Sequence, residues 1–198
     1  MNRKYITLLS FLLFLISFFV SSLSFAEGLS IKDIVVSGEK NEVRLSSVLK
    51  GDIDDDITET IKSGIPITFT YYVELHRKKA VWVDTMVLSK TIKNTVNYDN
   101  LKKEYKLTQA VDKEIKDSIS KDIQEVKQWM RKLDKVKIAG YNELEYDKTY
   151  YIKVKAELKS IKFIFPLNYV LFFFSFFDED TSWHNSPLFV IKKSLKKQ

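Results

Sequence analysis

His76 and His184 are the only imidazoles in this 198-residue chain. Zinc hydrolysis on a helix needs a His-x-x-x-His pair, and the sequence has none, so each histidine reads as a surface residue rather than a ligand or base. Cysteine is absent, which excludes disulfides, zinc–thiolate sites, thiol nucleophiles and iron–sulfur clusters. Asp52, Asp54 and Asp56 begin like a calcium loop. An EF-hand then needs Gly at its sixth place and Glu at its twelfth, and Ile57 and Ser63 stand there instead. The better use of these carboxylates is at a helix N-terminus, with Asp56 and Glu59 approximating a capping box. Asp178-Glu179-Asp180 reads as a solvated turn. No Gly-x-Ser-x-Gly elbow and no Gly-rich phosphate loop is present. One catalytic chemistry stays open, a carboxylate pair for hydrolysis, because its separation is spatial. Glu74 and Asp84 flank one hairpin and are the pair to watch. No complete catalytic constellation emerges, so a non-enzymatic protein is expected and no cofactor is implied.

The first 26 residues must be read apart from the rest. Arg3 and Lys4 precede an uncharged apolar and Ser/Thr stretch over residues 6–25, and Ser24-Phe25-Ala26 places small residues where a signal peptidase reads them. Residues 1–26 are therefore expected to be a secretory signal peptide, with an uncleaved N-terminal anchor as the second reading. Either places residues 27–198 outside the cytoplasm, in the periplasm or cell envelope. A lipoprotein is excluded because no Cys is available for lipid attachment. The net charge of the whole chain is +6, and without Arg3 and Lys4 the remainder carries 30 basic and 26 acidic residues. The basic residues are almost all Lys, the only arginines being Arg3, Arg44, Arg77 and Arg131. Base readout and bidentate phosphate clamps favour Arg, so no nucleic-acid partner is expected. The tail Lys192-Lys193-Ser194-Leu195-Lys196-Lys197 reads as a solvated end, with contact to an anionic membrane surface as the alternative.

The elements that would position any site follow from periodicity. Residues 31–37 and 42–49 read as strands around the turn Gly38-Glu39-Lys40-Asn41. Ile57 and Ile61, four apart and followed by Gly64, indicate a short helix over 57–63. Pro66 opens the clearest strand, in which Ile67, Phe69, Tyr71, Val73 and Leu75 alternate with Thr68, Thr70, Tyr72 and Glu74. After a polar turn over 76–79, residues 80–93 return as a second strand, with Trp82, Met86, Leu88 and Ile92 mostly on one side. Residues 98–101 read as a turn and 104–109 as a strand with Tyr105 and Leu107 inward. Over 111–136 the period changes. Val111, Ile115, Ile119, Val126, Met130 and Leu133 recur at threes, fours and sevens, which predicts one long amphipathic helix. Residues 135–146 are a connection, 149–158 a strictly alternating strand, and 187–191 a last strand.

Residues 163–177 hold seven of the nine Phe found beyond residue 26. The stretch contains Pro166 and is too short for a membrane span, so it reads as a clamp packed on the sheets, or else as an exposed apolar patch. Phe172, Phe173, Phe174, Phe176 and Phe177, with Trp183, form the candidate contact surface. Tyr71, Tyr72 and Trp82, together with Trp183, are candidate aromatics for a small apolar or glycan ligand. The predicted architecture is a mainly β protein, an antiparallel β-sandwich of immunoglobulin-like general architecture with one long amphipathic helix and a short one, formed by residues 27–198 as a single domain.

Three groups of residues carry a family resemblance. They are Gly64-Ile65-Pro66-Ile67-Thr68-Phe69 leading to Trp82; Val96-Asn97-Tyr98-Asp99-Asn100-Leu101-Lys102-Lys103-Glu104-Tyr105; and Phe165-Pro166-Leu167 with Asp178-Glu179-Asp180-Thr181-Ser182-Trp183 and Ser186-Pro187. Together the sequence resembles a bacterial family labelled domain of unknown function 4390. The resemblance implies an exported or anchored envelope protein and transfers no catalytic residues. The leading expectation is a non-catalytic envelope interaction module whose partner is an envelope protein or the membrane surface. A small apolar or glycan ligand binder is the alternative, and a carboxylate-dependent hydrolase the third reading.

Overall fold

The structure, a computed structural model, describes residues 29–51, 55–159 and 179–193. The chain first forms strands β1 (Ser30–Glu39) and β2 (Glu42–Lys50), then helix α1 (Asp55–Lys62). Strands β3 (Ile67–Arg77), β4 (Thr85–Asp99), β5 (Glu104–Val111) and β6 (Glu114–Ser120) follow as successive hairpins. Helix α2 (Ile123–Met130), β7 (Lys132–Gly140) and β8 (Thr149–Lys159) come next, and then the short strands β9 (Glu179–Asp180), β10 (His184–Asn185) and β11 (Phe189–Val190). A small sheet has the order β1-β2-β7. A large one runs β8-β3-β4-β5-β6, and β9, β10 and β11 all pair with the outer side of β8. Every pairing is antiparallel. This is the mainly β, two-sheet sandwich that the alternating segments predict.

Period two explains the core. On β3 the side chains of Ile67, Phe69, Tyr71, Val73 and Leu75 are all buried, and β8 answers with Tyr150, Ile152, Val154, Ala156 and Leu158. From the small sheet come Ile31, Val43, Leu45, Leu49, Leu133, Val136 and Ile138, and the two helices add Ile57, Ile61, Val126 and Met130 to the same cluster. Central β3 is paired on both sides, to β4 and β8, over nearly its whole length. The β1–β2 turn is tight: Glu39 pairs with Glu42, and Lys40 and Asn41 both adopt positive φ, 52° and 60°, the backbone twist that a two-residue hairpin needs.

The long amphipathic helix predicted over 111–136 does not form. That stretch is the β5–β6 turn, strand β6, the eight-residue α2 and the start of β7. Ile115 and Ile119 lie on β6 and are exposed, whereas Val126, Met130 and Leu133 are core. A spacing of four places two residues on one face of a helix and equally on one face of a strand, so the repeat does not discriminate between them. Helix α2 starts only at Asp122, whose carboxylate accepts the Gln124 N–H at 2.8 Å. Strand β7 also occupies part of the predicted connection over 135–146.

A second correction concerns β4. It begins at Thr85, so Trp82 lies in the loop before it and is 88% exposed instead of facing the core. Val81-Trp82-Val83 has the composition of a strand, yet the Asp84 carboxylate takes the Lys79 amide at 2.9 Å and closes the segment as a loop. Met86 is exposed too. At its other end β4 runs on through Asp99, past the start of the turn predicted over 98–101.

Candidate functional site

Among the described residues, the predicted ligand aromatics Tyr71, Tyr72 and Trp82 are not brought together. Tyr71 is core: fully buried, its hydroxyl donates to the Met130 carbonyl at 2.8 Å, and burial pushes its phenol far above the ordinary value. Tyr72, its neighbour, is on the opposite face of the sheet and donates to Glu157 at 2.8 Å. Trp82 lies beyond the end of β3, and Trp183 is half exposed in the segment outside β8. Phe172, Phe173, Phe174, Phe176 and Phe177 lie outside the described residues.

Instead, the structure assembles a polar network on the outer face of the large sheet, where β3, β4 and β8 meet the loop over residues 78–84. His76 Nε2 is 2.7 Å from Glu74 Oε2, and the imidazole stacks on the Tyr151 ring at a centroid distance of 5.3 Å. Tyr151 in turn donates its hydroxyl to Asp84 at 2.9 Å. The Lys79 amide first, and the Tyr151 hydroxyl second, hold the Asp84 carboxyl below its usual value. Burial and that same carboxylate raise the Tyr151 phenol. Glu74 and Asp84 thus each have a ring partner of their own. Two further ties fix the base of the loop: Lys78 N–H donates to the Thr149 carbonyl at 2.8 Å, and Arg77 pairs with Glu145.

Above this fixed base the loop points apolar side chains at water. Val81 is 71% exposed and Val83 87%, flanking Trp82. Trp82 has φ +87°, and the other non-glycine residues with positive φ among those described are all Asp, Lys or Asn, which turns commonly use. Register brings the far end of β8 alongside. Arg77 pairs with Tyr150 on one side of β8, and Val190 pairs with Thr149 on the other. Tyr146, Leu188 and Val190 at this end are also exposed.

A concavity separates the small sheet from the β4–β5–β6 side of the large one. It has a volume of about 620 Å³ and is lined by charged residues including Arg44, Lys90, Lys137, Glu42 and Asp112. These groups answer one another: Arg44 and Lys137 both reach Glu42, and Lys90 reaches Asp112 at 2.7 Å. These pairs neutralise part of the charge that lines the cleft between the sheets. Among the described residues no cluster of three or more His, Asp or Glu is placed to hold a metal ion, and no helix is long and apolar enough to cross a membrane.

Sequence reading missed Glu74–His76, although two residues two apart on a strand must share a face, and that signal was available. The approach of Asp84 to Tyr151 depends on cross-strand register, which no local pattern encodes.

Fold and surface together define a mainly β, two-sheet antiparallel sandwich with an apolar loop braced at one end of its large sheet. The chain belongs to the DUF4390 family, described as a domain of unknown function, whose model matches residues 26–186. No curated protein and no solved structure matches the chain.

Proposed function

We propose that residues 27–198 work outside the cytoplasm as a non-catalytic contact module of the cell envelope, with the β3–β4 loop as the contact element. One observation carries this reading. Three consecutive apolar residues, Val81, Trp82 and Val83, face water on a loop whose base is held by the Asp84, Lys78 and Arg77 ties. A sandwich gains nothing for its own folding by exposing them, and exposed apolar clusters mark contact sites. The signal-like pattern of residues 1–26 supports the extracytoplasmic placement. The outer-face network favours binding over chemistry: Asp84 is a depressed, doubly hydrogen-bonded carboxylate, suited to holding a loop and poorly suited to giving up a proton at neutral pH.

The test is fractionation combined with a loop variant. The protein is expected in the periplasmic or envelope fraction, with a mature N-terminus at Glu27 or an intact leader in the membrane. The triple substitution Val81→Asp, Trp82→Glu, Val83→Asp is expected to abolish co-sedimentation with isolated native envelopes while leaving far-UV CD unchanged. Recovery of the chain in the cytosol, or unchanged envelope binding by the triple variant, overturns the proposal.

A further inference from the structure

Resting on that contact-module reading, we propose that the partner of the β3–β4 loop is an anionic lipid bilayer: Val81, Trp82 and Val83 enter the interface while the lysines around the loop meet headgroup phosphates.

The charge around the loop selects this partner. Lys78 and Lys79 open the loop, and Lys148, Lys192 and Lys193 lie at the same end of the sheet, since Asp147 N–H donates to the Ile191 carbonyl at 3.0 Å and Lys78 N–H to that of Thr149. All five are exposed, and among the described residues none of them forms a salt bridge; the Lys78 charge acts on Asp84 only as a lesser cause behind its two hydrogen bonds. Of the acidic groups of this end, Glu145 is held by Arg77 and Asp84 by the Lys79 amide and Tyr151, while exposed Asp147 stands against five lysines. What remains is an apolar projection with lysines around it. Basic residues near an anionic leaflet are drawn to it, and Trp settles at the boundary between headgroups and acyl chains. The apolar group protrudes, with Tyr146, Leu188 and Val190 exposed at the same end of the sheet. A protein partner would have to supply a matching pocket, whereas a bilayer admits such a wedge without one.

Backbone conformation adds an independent argument. Trp82 sits at φ +87°, a region costly for a bulky residue, where Gly or Asn would sit without penalty. Keeping Trp there holds a large amphipathic ring in water on the loop, 88% exposed. The Asp84–Tyr151–His76–Glu74 network at the base of the loop is polar and so would stay at the headgroup level.

The protein, isolated as its producing cells make it, is mixed with vesicles of phosphatidylcholine alone or of phosphatidylcholine with phosphatidylglycerol. Wild type is expected to bind the anionic vesicles about tenfold more tightly than neutral ones, and the advantage should shrink as salt rises. Trp82→Ser and, separately, Lys78→Glu with Lys79→Glu should each weaken that binding about tenfold. Acyl-chain brominated lipid should quench the part of the emission that Trp82→Phe removes. Equal vesicle binding by wild type and these variants, or absence of quenching from that part, overturns the proposal. Failure to bind vesicles while native envelopes are still bound through the loop overturns the bilayer as partner and leaves the contact module with a protein partner. Loss of loop dependence on native envelopes as well overturns the contact module itself.

Discussion

Two hairpins of this protein turn in opposite ways. The β1–β2 hairpin reverses through Lys40 and Asn41 alone, with both residues polar and both at positive φ. The β3–β4 hairpin, whose strands pair up to Arg77 and Thr85, uses the whole of residues 78–84 and ends in exposed Val81, Trp82 and Val83. β5 and β6 also reverse within two residues, Asp112 and Lys113, with Val111 paired to Glu114. Two of the hairpins, β1–β2 and β5–β6, therefore close by two-residue polar turns, and the β4–β5 turn of residues 100–103 carries a single exposed apolar residue, Leu101. The long apolar loop is an addition to that economy, and its ties to Tyr151 and Thr149 hold it in one place.

If the strands below the loop serve folding and the loop serves contact, substitutions should separate the two by size of effect. Phe69→Ala, in the fully buried centre of β3, is expected to cost about 3–5 kcal/mol in urea denaturation. A much smaller loss would mean that the scaffold is not rigid there. Tyr71→Phe comes next, at about 1–2 kcal/mol, because the buried Met130 carbonyl loses its donor. Tyr71 also gives a pH signature. Its folded phenol titrates above the unfolded one, so its share of stability is complete below the unfolded value of about 10 and is lost as pH rises beyond it. Melting temperatures compared between pH 8 and pH 11 should fall less for Tyr71→Phe than for wild type.

Asp84→Asn is expected to speed hydrogen exchange at the Lys79 amide while moving the global melting temperature by no more than about 2 °C. The folded value of Asp84 is depressed, so its hold on the loop is complete above the unfolded carboxyl value of about 3.9 and fades as pH falls through the lower folded one. The same amide should therefore lose protection in acid ahead of the core strands. The triple substitution at Val81, Trp82 and Val83 is expected to leave stability within about 0.5 kcal/mol of wild type. A large destabilisation there would erase the distinction between the two hairpins.

Where one face of a strand is buried, the sequence announces it. Residues 67–75 and 149–158 alternate without a break, and both are strands with the expected faces inward. Helix α1 was equally plain from Ile57, Ile61 and the stop at Gly64, which adopts φ +82°. Legibility failed where two periods coincide, at Ile115 and Ile119. It failed again where a side chain overrode local preference, at the loop that Asp84 closes. The candidate surface was less legible than the fold. Trp82 could be singled out as a large aromatic, but its exposure rests on the register of β3 with β4 and β8. Tyr71 and Tyr72 are adjacent on a strand and so point to opposite faces, which alone precludes a shared pocket.

The outer side of β8 carries one more lesson. Its amides at Ile152 and Ala156 are capped by the hydroxyls of Ser186 and Thr181, at 2.9 Å each, between the short paired steps of β9, β10 and β11. A bare strand edge invites pairing with other chains, and here residues 179–190 supply the seal. Those residues lie in the last described segment, far in sequence from β3 and β4 of the same sheet. Until that strip is in place, the β8 edge of the widest sheet is bare, so a chain cut short before residue 179 would be more prone to clumping than the complete one.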